Sequence, residues 1–282
     1  MLLSTHGLTK RFGGITAVDA VDFTLEEGEL CSVIGPNGAG KTTFFNLLTG
    51  VLEPTAGRIE FSPTDPAAYG NEAEDGVVDI TDAAPYETAL LGLHRSYQIT
   101  NIFPTVSVLE NVRIAVQAHR GGDSWRFWRN VNAFDDHVTE AESILQRIGL
   151  AAEADRTAEN LSHGEKRNLE IGIALAGDPD LLLLDEPTAG VSSEDVGQVT
   201  EIIEDVSEDH AVLLIEHNMD VVMGISDRVA VLNQGELIAQ DEPETIRESE
   251  AVQRAYLGGY DPDGAATGTD ADDGGESGVS AG

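Results

Sequence analysis

An α/β fold built on parallel strands is the fold class this sequence predicts, and three observations predict it. Short apolar runs of strand length recur at Leu30-Cys31-Ser32-Val33-Ile34, Leu181-Leu182-Leu183-Leu184 and Ala211-Val212-Leu213-Leu214-Ile215, each ending in polar residues, as buried parallel strands do. Apolar residues at helical spacing follow, Phe44, Leu47 and Leu48 after the first run and Val196, Val199, Ile203 and Val206 after the second. Strand followed by amphipathic helix is the pattern of crossover connections in a parallel sheet. Thirdly, a glycine-rich segment joins the first strand to its helix, at the sheet edge where such folds bind ligands.

That segment, Gly35-Pro36-Asn37-Gly38-Ala39-Gly40-Lys41-Thr42-Thr43, matches G-x-x-x-x-G-K-[ST] in the right context, after a strand and opening a helix that Gly50 would end. Glycines let main-chain N–H groups turn inward around phosphate oxygens, and the helix N-terminus adds positive potential. Lys41 would neutralise β/γ-phosphate charge and Thr42 would ligate Mg²⁺. Next along the chain, Gly57-Arg58-Ile59-Glu60-Phe61 and Val77-Val78-Asp79-Ile80 read as strands flanking an acidic insertion from Ser62 to Gly76. Residues 99–160 are richer in helical patterns, such as Val138, Ala141, Leu145 and Ile148, and predict a helical subdomain inserted into the core. Residues 259–282 hold few large apolar side chains and are expected to be disordered, because they cannot offset their ordering entropy.

The chain of 282 residues is 41% apolar, enough for one large domain with a subdomain. Its formal charge is −35, with three lysines, Lys10, Lys41 and Lys166. Such a surface opposes binding to nucleic acid, which needs cationic side chains to release counterions. The six carboxylates of the tail, Asp261, Asp263, Asp270, Asp272, Asp273 and Glu276, account for only part of it. A carboxylate-covered fold is expected to work in high salt, where screening suppresses self-repulsion. No apolar run reaches the length of a membrane span and the N-terminus does not read as a signal peptide, so the expected compartment is the cytoplasm. A lone Cys31 implies no internal disulfide, and no Cys/His cluster implies zinc.

The apolar run 181–184 delivers two adjacent carboxylates, Asp185 and Glu186, ahead of Pro187. With a phosphate loop elsewhere in the chain, one is expected to serve Mg²⁺ through water and the other to polarise the water that attacks a γ-phosphate. Leu161-Ser162-His163-Gly164-Glu165 lies just upstream, Ser162 being 23 residues before Asp185. Alone it would be an ordinary serine helix cap. In this setting it resembles the LSGGQ signature of ATP-binding-cassette ATPases, and the resemblance covers about residues 5–258.

The resemblance implies a P-loop ATPase core with an antiparallel β subdomain and an inserted helical subdomain. It further implies ATP and Mg²⁺ as ligands, Phe12 stacking on adenine with Val18 beside it, and Gln98 touching Mg²⁺ and signalling to a transmembrane partner. His217, 31 residues after Glu186, matches the switch histidine that contacts γ-phosphate. Ser162, His163, Gly164 and Glu165 would act on ATP held by the opposite subunit of a head-to-tail dimer. The sequence departs from the family pattern at His163 and Glu165, which replace a glycine and a glutamine, and at Ser192, where an acid is usual. Glu165 would thereby set a carboxylate near the opposing nucleotide.

Within the family the chain looks most like the ATPase subunits of branched-chain amino-acid importers. The likeness rests on Arg95-Ser96-Tyr97-Gln98, Ile102-Phe103-Pro104, Val108-Leu109-Glu110-Asn111-Val112, Ile215-Glu216-His217-Asn218-Met219, Val231-Leu232-Asn233-Gln234-Gly235 and Ala255-Tyr256-Leu257-Gly258. The longer middle segment with Trp125 and Trp128 resembles the longer of the two ATPases in such systems. Transmembrane permeases, a second ATPase subunit and, indirectly, a solute-binding protein are the implied partners, at the cytoplasmic face of the membrane. Urea and short-chain amide importers carry nearly the same ATPases, and soluble cassette ATPases share the nucleotide motifs.

Overall fold

The computed structural model describes residues 1–65, 76–96, 102–119 and 132–257. Gln98, Trp125, Trp128, most of the acidic insertion and the tail 259–282 lie outside the described residues. The first half of the chain forms β1 (Leu3–Phe12), β2 (Ile15–Leu25), β3 (Leu30–Ile34), α1 (Lys41–Leu48), β4 (Ala56–Phe61), β5 (Val78–Asp79), α2 (Pro85–Leu90), β6 (Leu93–Ser96), α3 (Val108–His119) and α4 (Asn132–Arg147). The second half forms α5 (His163–Leu175), β7 (Leu181–Asp185), α6 (Ser193–Ser207), β8 (Ala211–Ile215), α7 (Met219–Ile225), β9 (Arg228–Asn233), β10 (Glu236–Asp241), α8 (Pro243–Glu248) and α9 (Glu250–Leu257).

Six strands form the central sheet in the order β10-β9-β3-β8-β7-β6, parallel except for the β9–β10 hairpin. The strands β3 and β8 have the bounds their apolar runs predict. β7 runs one residue further, through Asp185, which pairs with Ile215 in the ladder. A second sheet, β2-β1-β4-β5, is antiparallel.

Alternation along the buried strands sorts the core into two layers. Cys31, Val33, Leu181, Leu183, Leu213 and Ile215 face the antiparallel sheet and α1, packing with Phe23, Phe44, Phe45 and Phe61. Phe23 and Phe44 meet edge to face at 5.4 Å. On the opposite side Leu30, Leu182, Leu184, Val212 and Leu214 pack against Val112 of α3, Leu145 of α4, Leu169 of α5 and Ile203 of α6. Both faces being covered explains why these strands read as continuous apolar runs.

Cys31 is fully buried, and burial pushes its thiol up to about 12. Because the thiolate is the reactive species, the native protein is expected to resist a disulfide reagent at about pH 8 and to react at one thiol on unfolding. Rapid labelling of the native chain would contradict this packing.

Candidate active site

The C-terminal ends of β3, β8 and β7 lie side by side, with Val33 opposite Ile215 and Ile215 opposite Asp185. Residues following each strand therefore arrive at one edge: the glycine loop after β3, Glu186 after β7, Glu216 and His217 after β8. Asn37 to Thr43, Glu186 and His217 line one open cavity of about 210 Å³, together with Ala17 of β2.

Close packing demands the glycines at both ends of the loop. A Cβ on Gly35 would lie 2.1 Å from the Leu232 carbonyl oxygen, and one on Gly40, whose φ is +104°, would lie 2.3 Å from that of Ala17. The loop is thus seated between β9 and β2, which brings Ala17 into the site; no signal in the sequence marked it. Lys41 is buried and its Nζ donates to the carbonyls of Gly35 (2.7 Å) and Pro36 (3.2 Å), so the loop closes on its own lysine. Burial lowers the Lys41 pKa from the ordinary lysine value, while the carboxylates of Glu186 and Asp185 act in the opposite direction.

Asp185 is buried at the end of β7, and its Oδ2 accepts from Arg95 Nη2 at 2.7 Å. Arg95 Nη1 also donates to Asn46 Oδ1 of α1 at 2.6 Å. Glu186 takes a left-handed conformation, φ +49°, and its Oε1 accepts from His217 Nε2 at 2.8 Å. Since an ionised carboxylate only accepts, this contact places the imidazole proton on Nε2. Beneath them Glu216 is buried. Its Oε1 accepts from the Thr188 N–H and hydroxyl at 2.8 and 2.6 Å, and its Oε2 from the N–H groups of His217 and Asn218 at 2.8 and 3.2 Å. One buried carboxylate thus ties the segment after β7 to the segment after β8. In sequence Glu216 is merely the residue between a strand and a histidine.

Phe12 ends β1 and is 47% exposed, with Lys10 Nζ 5.3 Å from its ring centroid. Lys10 Nζ also donates to the Glu53 carbonyl. Val18, expected beside Phe12, is instead fully buried in the core; it pairs with Lys10 in the β1–β2 ladder. The exposed apolar residue opposite Phe12 is Ile15.

Ser162, His163, Gly164 and Glu165 do not line the phosphate-loop cavity. Ser162 caps α5: its Oγ accepts from the Glu165 N–H at 3.2 Å while Glu165 Oε2 accepts from the Ser162 N–H at 2.6 Å, a reciprocal capping box. The Glu165 carboxylate is therefore folded back on its own helix, with Arg156 Nη1 3.5 Å from Oε1. Lys166 Nζ donates to the Glu159 carbonyl at 2.9 Å. The His163 ring packs on Gly190, and the Asp195 carboxylate covers Gly164, each within 3.3 Å of where a Cβ on that glycine would lie. Ser192 caps α6, accepting from the Asp195 N–H and donating to its Oδ2.

Among the described residues no group of three His, Cys, Asp or Glu could hold a metal ion alone. The Thr42 hydroxyl and the Asp185 carboxylate are nonetheless the hard oxygen donors Mg²⁺ takes when substrate phosphates complete its shell. These two residues, Asp185 through water, would hold it together with Gln98, which lies outside the described residues, and the ion would supply charge neutralisation on the phosphates.

The ABC transporter family profile matches residues 18–189, a span holding the glycine loop, the Ser162 helix cap and the Asp185-Glu186 strand end. The chain belongs to the ABC transporter family. This ABC ATPase is 38% identical over 263 residues to the high-affinity branched-chain amino acid transport ATP-binding protein LivG of Salmonella typhimurium, covering 91% of this chain and 98% of LivG. It is 32% identical over 266 residues to the probable branched-chain amino acid transport ATP-binding protein LivG of Archaeoglobus fulgidus, covering 92% and 96%. The structure of the ADP conformation of MJ1267, an ATP-binding cassette of an ABC transporter, matches with a TM-score of 0.73 and 28% identity over 91% of this chain and 98% of that one. Among the described residues of the ABC ATPase no helix is long and apolar enough to cross a membrane.

Proposed function

We propose that this ABC ATPase powers the import of branched-chain amino acids. It would work as one of a pair of cassette subunits bound to transmembrane permeases at the cytoplasmic face of the membrane, with a solute-binding protein delivering the solute. The observation that carries the reading is the near full-length likeness to proteins named for branched-chain amino acid transport. In this reading Phe12 offers a face for the adenine ring, the Gly35–Thr43 loop and Lys41 hold the phosphates, and Gln98 connects the site to a permease. Glu186 accepts a proton from the attacking water as its oxygen bonds the γ-phosphorus and ADP leaves. His217 orients that carboxylate. Ser162, His163, Gly164 and Glu165 face the nucleotide of the opposing subunit, so that two ATP molecules close a head-to-tail pair. In this reading the Glu165 carboxylate, held on its own helix cap with Arg156 beside it, repels that nucleotide less than a free carboxylate would. The formal charge of −35 suits a medium of concentrated salt.

The test is affinity isolation from gently solubilised native membranes, in molar and in dilute salt, followed by uptake assays on the intact system. Two polytopic permeases and a second cassette are expected to co-isolate in molar salt and to be lost in dilute salt. Leucine, isoleucine or valine uptake should stop in a Glu186→Gln strain. Uptake of urea or a short amide instead would reassign the solute. Recovery without any polytopic partner would overturn the transport reading.

A further inference from the structure

The backbone of Glu186 lies in a region that residues with a side chain seldom occupy, φ +49°, and such a conformation persists only where its surroundings over-determine it. The Glu186 N–H donates to the Ile215 carbonyl at 2.8 Å, and on the carbonyl side the residue is held by a buried guanidinium. Arg167, on the second turn of α5, is 7% exposed. Its Nη2 donates to the carbonyls of Glu186 (2.8 Å) and Asp185 (3.4 Å), and its Nε to that of Pro187 (3.3 Å). Its Nη1 donates to the buried Glu170 Oε2 at 2.8 Å. One planar fork thus satisfies three successive main-chain carbonyls, which a lysine's single point of charge would not reproduce. Arg167 does not line the nucleotide cavity, whereas Glu186 does.

From these contacts we infer that Arg167 is a positioning residue for the hydrolytic carboxylate: it holds the main chain at residues 185–187 so that Glu186 faces the nucleotide cavity. The inference rests on the reading of Glu186 as the base. Glu216 grips the next residue through the N–H and hydroxyl of Thr188, so a buried cation on three carbonyls is followed along the chain by a buried anion on an amide. Because Arg167 belongs to the helix that Ser162 caps, the set of that helix is transmitted to the base.

Arg167→Met alone strands a charged Glu170 in the interior, a change that can unfold a chain; Arg167→Met with Glu170→Met removes both charges at similar volume. Each variant is checked by thermal melt, by binding of a fluorescent non-hydrolysable ATP analogue, and by phosphate release in single turnover. The double-Met variant is expected to bind the analogue within about threefold of wild type while turnover falls on the order of 10²-fold, the scale of a misplaced reacting group. Introduced into Glu186→Gln, the same pair should cost nothing further, because the group it positions is already gone. Arg167→Lys, which keeps the charge beside Glu170, is expected to show the same split and the same non-additivity, and decides the matter if the Met pair does not fold. Wild-type turnover in these variants, or an equal loss in the Glu186→Gln background, would overturn the inference. Undiminished turnover in Glu186→Gln alone would instead overturn the assignment of the base.

Discussion

Glu186→Gln is expected to bind ATP as the parent does and to release phosphate about 10²–10⁴-fold more slowly, the range general-base catalysis supplies. The amide keeps the length and shape of the carboxylate and can still accept from His217 Nε2, which now sits 2.8 Å from Oε1. The Arg167 grip on the Glu186 carbonyl is a main-chain contact and survives unchanged. What is lost is the basic oxygen. Nucleotide binding measured beside single-turnover phosphate release separates the two roles, and undiminished release would show that another group takes the proton.

Replacing Lys41 by Ala should instead abolish binding at ordinary nucleotide concentrations. Its ammonium is the cation of the phosphate loop, in a chain whose formal charge is −35. Losing two charge-assisted hydrogen bonds to phosphate, each worth about 1.5–3 kcal/mol, corresponds to about 10²–10⁴-fold in affinity. The loop also loses its own closure, since the same Nζ now donates to Gly35 and Pro36. A calorimetric titration with ATP reads the change; affinity within about threefold of the parent would remove Lys41 from the site.

The elements that local pattern encodes were legible. An apolar run covered on both faces shows its own limits, so β3 and β8 follow from composition alone, and the glycine loop follows from spacing. Of the antiparallel strands, β4 and β5 were legible at 57–61 and 77–80, whereas β1 and β2 were not, because register shifts along β1 break the period of two. Val18, which the resemblance sets beside Phe12, is buried in the core, and the hairpin leaves Ile15 exposed opposite Phe12. Side chains that brace the site were also silent. Arg95 reaches Asp185 only because β6 pairs with β7, and Arg167 reaches the Glu186 carbonyl only because α5 packs over that strand's end. Such pairings arise from strand order and helix packing, which no local window contains. Glu165 shows the converse, since a capping box is local and could have been read from Ser162 and Glu165 at their spacing.

The lysines carry a practical consequence. Each donates to main-chain carbonyls: Lys10 to Glu53, Lys41 to Gly35 and Pro36, Lys166 to Glu159. Amine-directed cross-linkers and labels therefore meet three side-chain amines in the whole sequence, one of them buried, in the segments that carry Phe12, the phosphate loop and the Ser162 cap. Carboxylate-directed coupling is the chemistry suited to mapping the rest of this surface, and lysine reactivity, read apart from that of the half-exposed Met1 α-amine, becomes a selective reporter on the nucleotide machinery.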